Sequence, residues 1–177
     1  MASENRAASR IIRSTYDEDA VRAAVEQCRE EVEGRPSIVF AFVSSDWLDH
    51  MDDFVEVVQV YGHAVEIVGC SADGFINTAE EDENVSGCSL LFLKLPDTKI
   101  SLLKLKPDEM DDFDGQGIEP GGSWMAICNP FLSHAEHWML RWNSIFDHTP
   151  TFGGLASGGG DPEDVFVFRN HEIHDYA

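Results

Sequence analysis

Four short segments rich in small and polar residues carry most of the chemistry that this chain could perform: Ser44-Ser45-Asp46, Gly69-Cys70-Ser71-Ala72-Asp73-Gly74, Asn129-Pro130-Phe131 and Gly153-Gly154-Leu155-Ala156-Ser157 with the glycines that follow. Gly and Ser let a ligand approach the main chain closely and supply amide and hydroxyl hydrogen bonds without filling the space. A carboxylate or similar polar group suits the amides of residues 69–74 and 153–157. The hydroxyls of Ser44, Ser45, Ser71 and Ser157 add donors, and Asp46 or Asp73 would meet an amino group. The chemistry such a pattern would serve is recognition of a small polar metabolite without turnover.

Other motifs point to reactions less well. Gly69-Cys70-Ser71 places a thiol where a strand turns, as in a nucleophile elbow, but Asp73 stands where that motif needs its last glycine. No His neighbours Cys70 in sequence to serve as base, so a thiol enzyme is the least unfavourable catalytic alternative and the expectation is a non-enzyme. His171-Glu172-Ile173-His174 is one residue short of H-E-x-x-H, and residues three apart on a strand face opposite ways. His134 and His137 are three apart on a predicted helix, yet His137 follows the polar face, which argues against a shared metal. The glycines of residues 115–121 have the wrong spacing for a dinucleotide loop, and the acidic residues around them would repel a pyrophosphate.

These segments need elements to hold them. Residues 38–43 form a continuous apolar run of strand length, which predicts a sheet covered on both faces. Residues 47–61 follow with Met51, Phe54, Val55 and Val58 at helical spacing, and residues 65–68 read as the strand returning parallel to the first. The same plan recurs as a strand over 124–128, a helix over 133–147 and a second glycine-rich run from 151. Val39 set on Met125, and Gly69 on Gly153, align the two halves with only small gaps. In the second helix Ala135, Trp138, Met139, Trp142, Ile145 and Phe146 make a core-facing stripe, so the two tryptophans are assigned to packing. Residues 17–33 predict an N-terminal helix, with Ala20, Val21, Ala24, Val25, Cys28 and Val32 inward and Gly34 and Pro36 as its stop.

Residues 86–94 and 165–169 read as a further strand in each half, and residues 89–95 and 99–105 as a hairpin around Pro96-Asp97-Thr98. Residues 1–15 are expected to be a flexible arm. The expected fold is therefore one α/β domain over residues 16–177, a mixed β-sheet flanked by helices. It would be built from two related β-α-β-β units at about 37–106 and 122–177, joined by a solvated acidic linker at 107–121.

Composition sets outer limits. The 177 residues suit one domain, and at 43% hydrophobic they can bury a substantial core. Twelve Lys plus Arg against 33 Asp plus Glu leave a net charge of −21, which would repel phosphate backbones and anionic lipid, so neither nucleic acid nor membrane is expected as a partner. Low Lys with high acid also fits a salt-adapted surface. The four cysteines, Cys28, Cys70, Cys88 and Cys128, lack the spacing of a zinc site or a disulfide framework. Together with the absence of a signal sequence and of a spanning segment, they give a cytoplasmic expectation with no metal.

Two stretches also resemble a known family. Val68-Gly69-Cys70-Ser71-Ala72-Asp73-Gly74-Phe75-Ile76, followed by acidic residues and the Val85-Ser86 strand start, resembles the N-terminal part of the FIST domain. Phe152-Gly153-Gly154-Leu155-Ala156-Ser157-Gly158 is similar to that family's second glycine-rich signature, and the likeness runs from about residue 37 to the C-terminus. The resemblance implies a sensory input domain for signal transduction that binds small ligands such as amino acids and passes the signal to a downstream protein. Haem is the cofactor alternative, for a sensor of a diatomic gas, with His134 as its axial candidate. The resemblance implies that family members usually carry a C-terminal FIST region as well, and whether such a region adds one wall to the site is left open by the sequence.

Overall fold

A computed structural model describes residues 4–110, 112–119, 121–131 and 135–174. In chain order the elements are β1 (Arg6–Ile12), α1 (Glu18–Glu31), β2 (Ile38–Val43), a 3-10 turn (Ser45–His50), α2 (Met51–Gly62), β3 (Ile67–Ser71), β4 (Gly74–Ile76), β5 (Glu81–Glu83) and β6 (Cys88–Lys94). There follow α3, a single turn (Pro107–Met110), then β7 (Trp124–Cys128), α4 (Ala135–Ile145), β8 (Thr151–Leu155), a second 3-10 turn (Pro162–Asp164), β9 (Val167–Arg169) and β10 (Glu172–His174). Six strands form one mixed sheet in the order β1-β6-β2-β3-β9-β10, with α1 and α2 packed on it, so the fold is mixed α/β with an N-terminal helix.

The helices begin and end where the sequence provides for it. Asp17 caps α1, its carboxylate accepting from the Ala20 amide at 3.1 Å, and the chain turns out of the helix through Glu33 and Gly34, both with positive φ. Val21, Ala24, Val25 and Cys28 face the sheet, where they meet Phe54, Val55 and Val58 of α2. His63, in the left-handed region, ends α2. β2 is apolar at every position because it lies at the middle of the sheet, paired to β6 on one side and β3 on the other.

The N-terminal segment corrects the expectation of a flexible arm. Residues 6–12 form β1, antiparallel to β6, with Ala8 and Ile12 buried. Arg6 and Arg10 reach Glu33 and Glu31 at the end of α1, and the Arg10 guanidinium holds the Glu31 carboxyl below its usual range. The hairpin expected at 99–105 is likewise absent: β6 is paired on both edges by β1 and β2, so no edge is left for it. That segment instead runs on without strand pairing, with Lys104 3.4 Å from Glu172 of β10.

The acidic linker is also more than a solvated tether. Leu105 and Met110 are buried with Trp142 of α4, and Phe113 stacks on Trp142 at 5.8 Å between ring centres. Trp124, Trp138 and Phe146 complete this cluster. Packing therefore accounts for both helix tryptophans, although Met139, expected on the same stripe, is exposed.

The two parallel pairs share a detail that sequence alone does not give. β2 and β3 pair with Ala41 opposite Gly69, and β7 and β8 pair with Ala126 opposite Gly153, each pair joined through a helix. Set on these alanines, Val39 aligns with Trp124, one residue before the Met125 that the sequence pattern suggests. A Cβ on Gly69 would stand 1.7 Å from the Ala41 carbonyl oxygen, and one on Gly153 1.8 Å from that of Ala126. Only glycine fits such an approach. The last strands differ: β6 lies beside β2, whereas β9 lies beside β3 and leaves β7 and β8 as a separate two-stranded sheet.

Candidate functional site

The carboxyl ends of β2, β3, β7 and β8 come together, which is where open α/β sheets gather ligands. The junction is held by hydrogen bonds between segments remote in sequence. The Ser157 amide donates to the Ser71 carbonyl at 3.0 Å, and the Asp73 amide donates to the Ser157 hydroxyl at 3.2 Å across 84 residues. The Ala156 amide donates to the Cys128 carbonyl at 2.8 Å, and the Ala72 amide to the Val43 carbonyl at 2.8 Å.

Much of the polar chemistry foreseen for a ligand is thus used by the fold. Ser71 is fully buried, donates its amide to the Phe166 carbonyl at 2.9 Å, and accepts the Phe166 amide on its hydroxyl at 3.1 Å. Ser44 is buried too, its hydroxyl donating to the Gly87 carbonyl and accepting from the Gly87 amide at 2.8 Å. Asn129 donates to the Val165 carbonyl at 2.8 Å and accepts from the Phe131 amide at 2.9 Å. Asp46 accepts the Ser86 hydroxyl at 2.6 Å. Gly69 and Cys70 lie within β3, and Gly153, Gly154 and Leu155 within β8, so the loops proper begin only at Ala72 and Ala156.

What faces solvent at the junction is narrower. Ser45 is half-buried, Asp73 and Ser157 are exposed, and Gly74 opens the short β4–β5 hairpin. Gly158, one of the glycines that follow Ser157, is buried behind them with φ of +129°, and a Cβ there would stand 2.8 Å from the Ser45 hydroxyl and 3.7 Å from Asp73 Oδ1. The sequence signal for it is the Gly158-Gly159-Gly160 run itself.

Burial sets Cys70 poorly for nucleophilic attack. Its thiol is buried and desolvation pushes it up to about 12, with Cys128 nearby acting in the same direction, so the thiolate that attack requires is not formed near neutral pH. His171 rests against Asp52 and Gln59 at 3.2 and 3.3 Å. Among the described residues no three His, Cys, Asp or Glu side chains gather to hold a metal. A haem would need an axial ligand set in an apolar wall. Asp46 and Asp73, with Ser, Gly and Asn around them, would instead repel its propionates, so the groups described at the junction do not fit it. His134 lies outside the described residues.

A family model for the FIST N domain matches residues 37–177, well over half of the chain. The chain belongs to the FIST N domain family. FIST domains are sensory modules of signal transduction, so this FIST N domain has the architecture of an input unit. No curated protein and no solved structure shows a significant match to it. Among the described residues no helix is long and apolar enough to cross a membrane.

Proposed function

We propose that this FIST N domain is a ligand-binding input unit and that it holds a small metabolite carrying a primary amino group, an amino acid first among them, without turnover. The observation that supports this reading is the meeting of the half-buried Ser45 with the exposed Asp73 and Ser157 at the strand ends, where Gly158 lets the main chain run so close that a Cβ there would stand 2.8 Å from the Ser45 hydroxyl and 3.7 Å from Asp73 Oδ1. Asp73 supplies a charge for an ammonium group, and Ser45 a hydroxyl for a carboxylate. The small residues beside them let a ligand approach the main chain. The net charge of −21 adds attraction for a cationic group and disfavours nucleic acid and anionic membrane. The signal would pass to a C-terminal FIST region or to a separate signalling protein.

The test is a thermal-midpoint screen of amino acids, simple amines and simple carboxylates. A ligand at ~100 times its dissociation constant adds about 2.7 kcal/mol, which for a chain of this size raises the midpoint by about 5 to 11 °C. Asp73→Asn and Ser45→Ala should abolish the shift and leave the ligand-free midpoint in place, since neither side chain packs in a core cluster. A shift that survives both substitutions moves the site elsewhere. No shift with any amine overturns the ligand class.

A further inference from the structure

The register of the main sheet brings one more segment to the candidate site. Ile12 lies opposite Cys88, Cys88 opposite Val43 and Val43 opposite Ser71, so the four residues form one row across β1, β6, β2 and β3. β1 and β2 are both antiparallel to β6 and therefore run the same way. Arg13 and Ser14 thus leave the sheet at the end where Ser44-Ser45-Asp46 and Ala72-Asp73 leave it.

The backbone at this point is pinned. The Ser14 carbonyl accepts the indole of the fully buried Trp47 at 3.1 Å. The Ser86 hydroxyl stands 2.9 Å from the same carbonyl and 2.6 Å from Asp46, so its one proton serves two acceptors. Arg13 projects from this pinned backbone into the β4–β5 hairpin, where it meets Asp82 at 2.5 Å and Glu80 at 2.8 Å. The hairpin grows directly from Asp73, whose carbonyl accepts the Asn84 amide at 2.7 Å and closes its base. Two strands of three residues are marginal by themselves, and Glu80-Glu81-Asp82-Glu83 are four carboxylates in a row that repel one another.

We propose that Arg13 is a positioning residue for the candidate site: by bridging two of these carboxylates it holds the hairpin, and with it Asp73 at the hairpin's base. Arg13 precedes residues 37–177, the stretch that the family model matches. Its role in ligand binding rests on Asp73 being the ammonium partner proposed above, whereas its hold on the hairpin is measured without ligand, so the two can fail separately. The Arg13 side chain is 40% exposed, so salt screens the contact.

Amide hydrogen exchange of the full chain tests this in the wild type, Arg13→Gln and Arg13→Lys. Arg13→Gln should speed exchange over residues 73–84 by about three- to fivefold, the scale of one or two exposed ion pairs, and leave residues 18–31 and 38–43 as they were. Arg13→Lys keeps the charge and should restore most of the protection. Raised salt should speed the same residues in the wild type and add little in Arg13→Gln. Unchanged exchange over residues 73–84 in Arg13→Gln overturns the assignment. So does a loss spread evenly over the chain, which would make Arg13 a residue of general stability, or a loss that Arg13→Lys does not repair.

Discussion

Gly69→Ala is the most severe single-methyl change that the structure identifies in the main sheet. The added Cβ would stand 1.7 Å from the Ala41 carbonyl oxygen, where ordinary contact begins at 3.4 Å, so β2 and β3 would have to part by about 1.7 Å. The Phe168 ring at 2.9 Å on another side blocks an escape away from the carbonyl. Parting the strands breaks the two or three ladder bonds nearest the glycine, at about 1 kcal/mol each, and opens the packing around Phe168. The sum is about 3 to 4 kcal/mol, a fall of about 6 to 16 °C in thermal midpoint for a chain of this size. Gly160→Ala is the control: apart from its chain neighbours, no described residue comes within 4 Å of its Cβ, and the effect should stay within about 0.5 kcal/mol. Thermal and urea unfolding followed by circular dichroism would measure both. If Gly69→Ala melted with the parent, the close approach of β2 and β3 would not be the reason for the glycine.

Deleting residues 1–13 should cost at least about 3 kcal/mol in urea unfolding, since it strips the buried Ala8 and Ile12 and bares the edge of β6; a flexible arm would cost nothing. Stability should also fall at alkaline pH. Unfolded thiols ionise near their ordinary value of 9.0, while burial holds Cys28 and Cys70 up to about 12 and Cys128 up to about 11. Stability is therefore full below the unfolded value and is lost as pH rises from there towards the folded ones, by up to about 1.4 kcal/mol per pH unit for each thiol. A flat urea-unfolding profile from about pH 8 to about pH 10 would show that the thiols are not buried.

Periodicity made α1, α2, α4 and the strands β2, β6 and β7 legible, because each repeats its apolar residues at the spacing of its own geometry. Residues 6–12 hid from that reading. Arg6, Arg10 and Arg13 make the segment look solvated, while its strand character rests on two buried residues, Ala8 and Ile12, and on the free edge of β6. Residues 99–105 erred in the opposite direction. Their apolar residues suit a strand, but β1 already holds the edge they would need. At the candidate site, residue type identified the right segments and not their duties. A serine hydroxyl looks the same in sequence whether it awaits a ligand or accepts the Phe166 amide, as Ser71 does.

The sequence by itself determined the α/β class, the presence and inward faces of the main helices, and the family, because these follow from local spacing and from motifs within a few residues. Only the tertiary structure decided which polar groups remain open to solvent, since that depends on partners 84 residues away, as with Asp73 and Ser157. It alone also decided that β9 joins β3 rather than β7 or β8. Strand pairing is a competition for free edges, settled by every other strand in the sheet, and among the described residues β8 pairs with β7 alone.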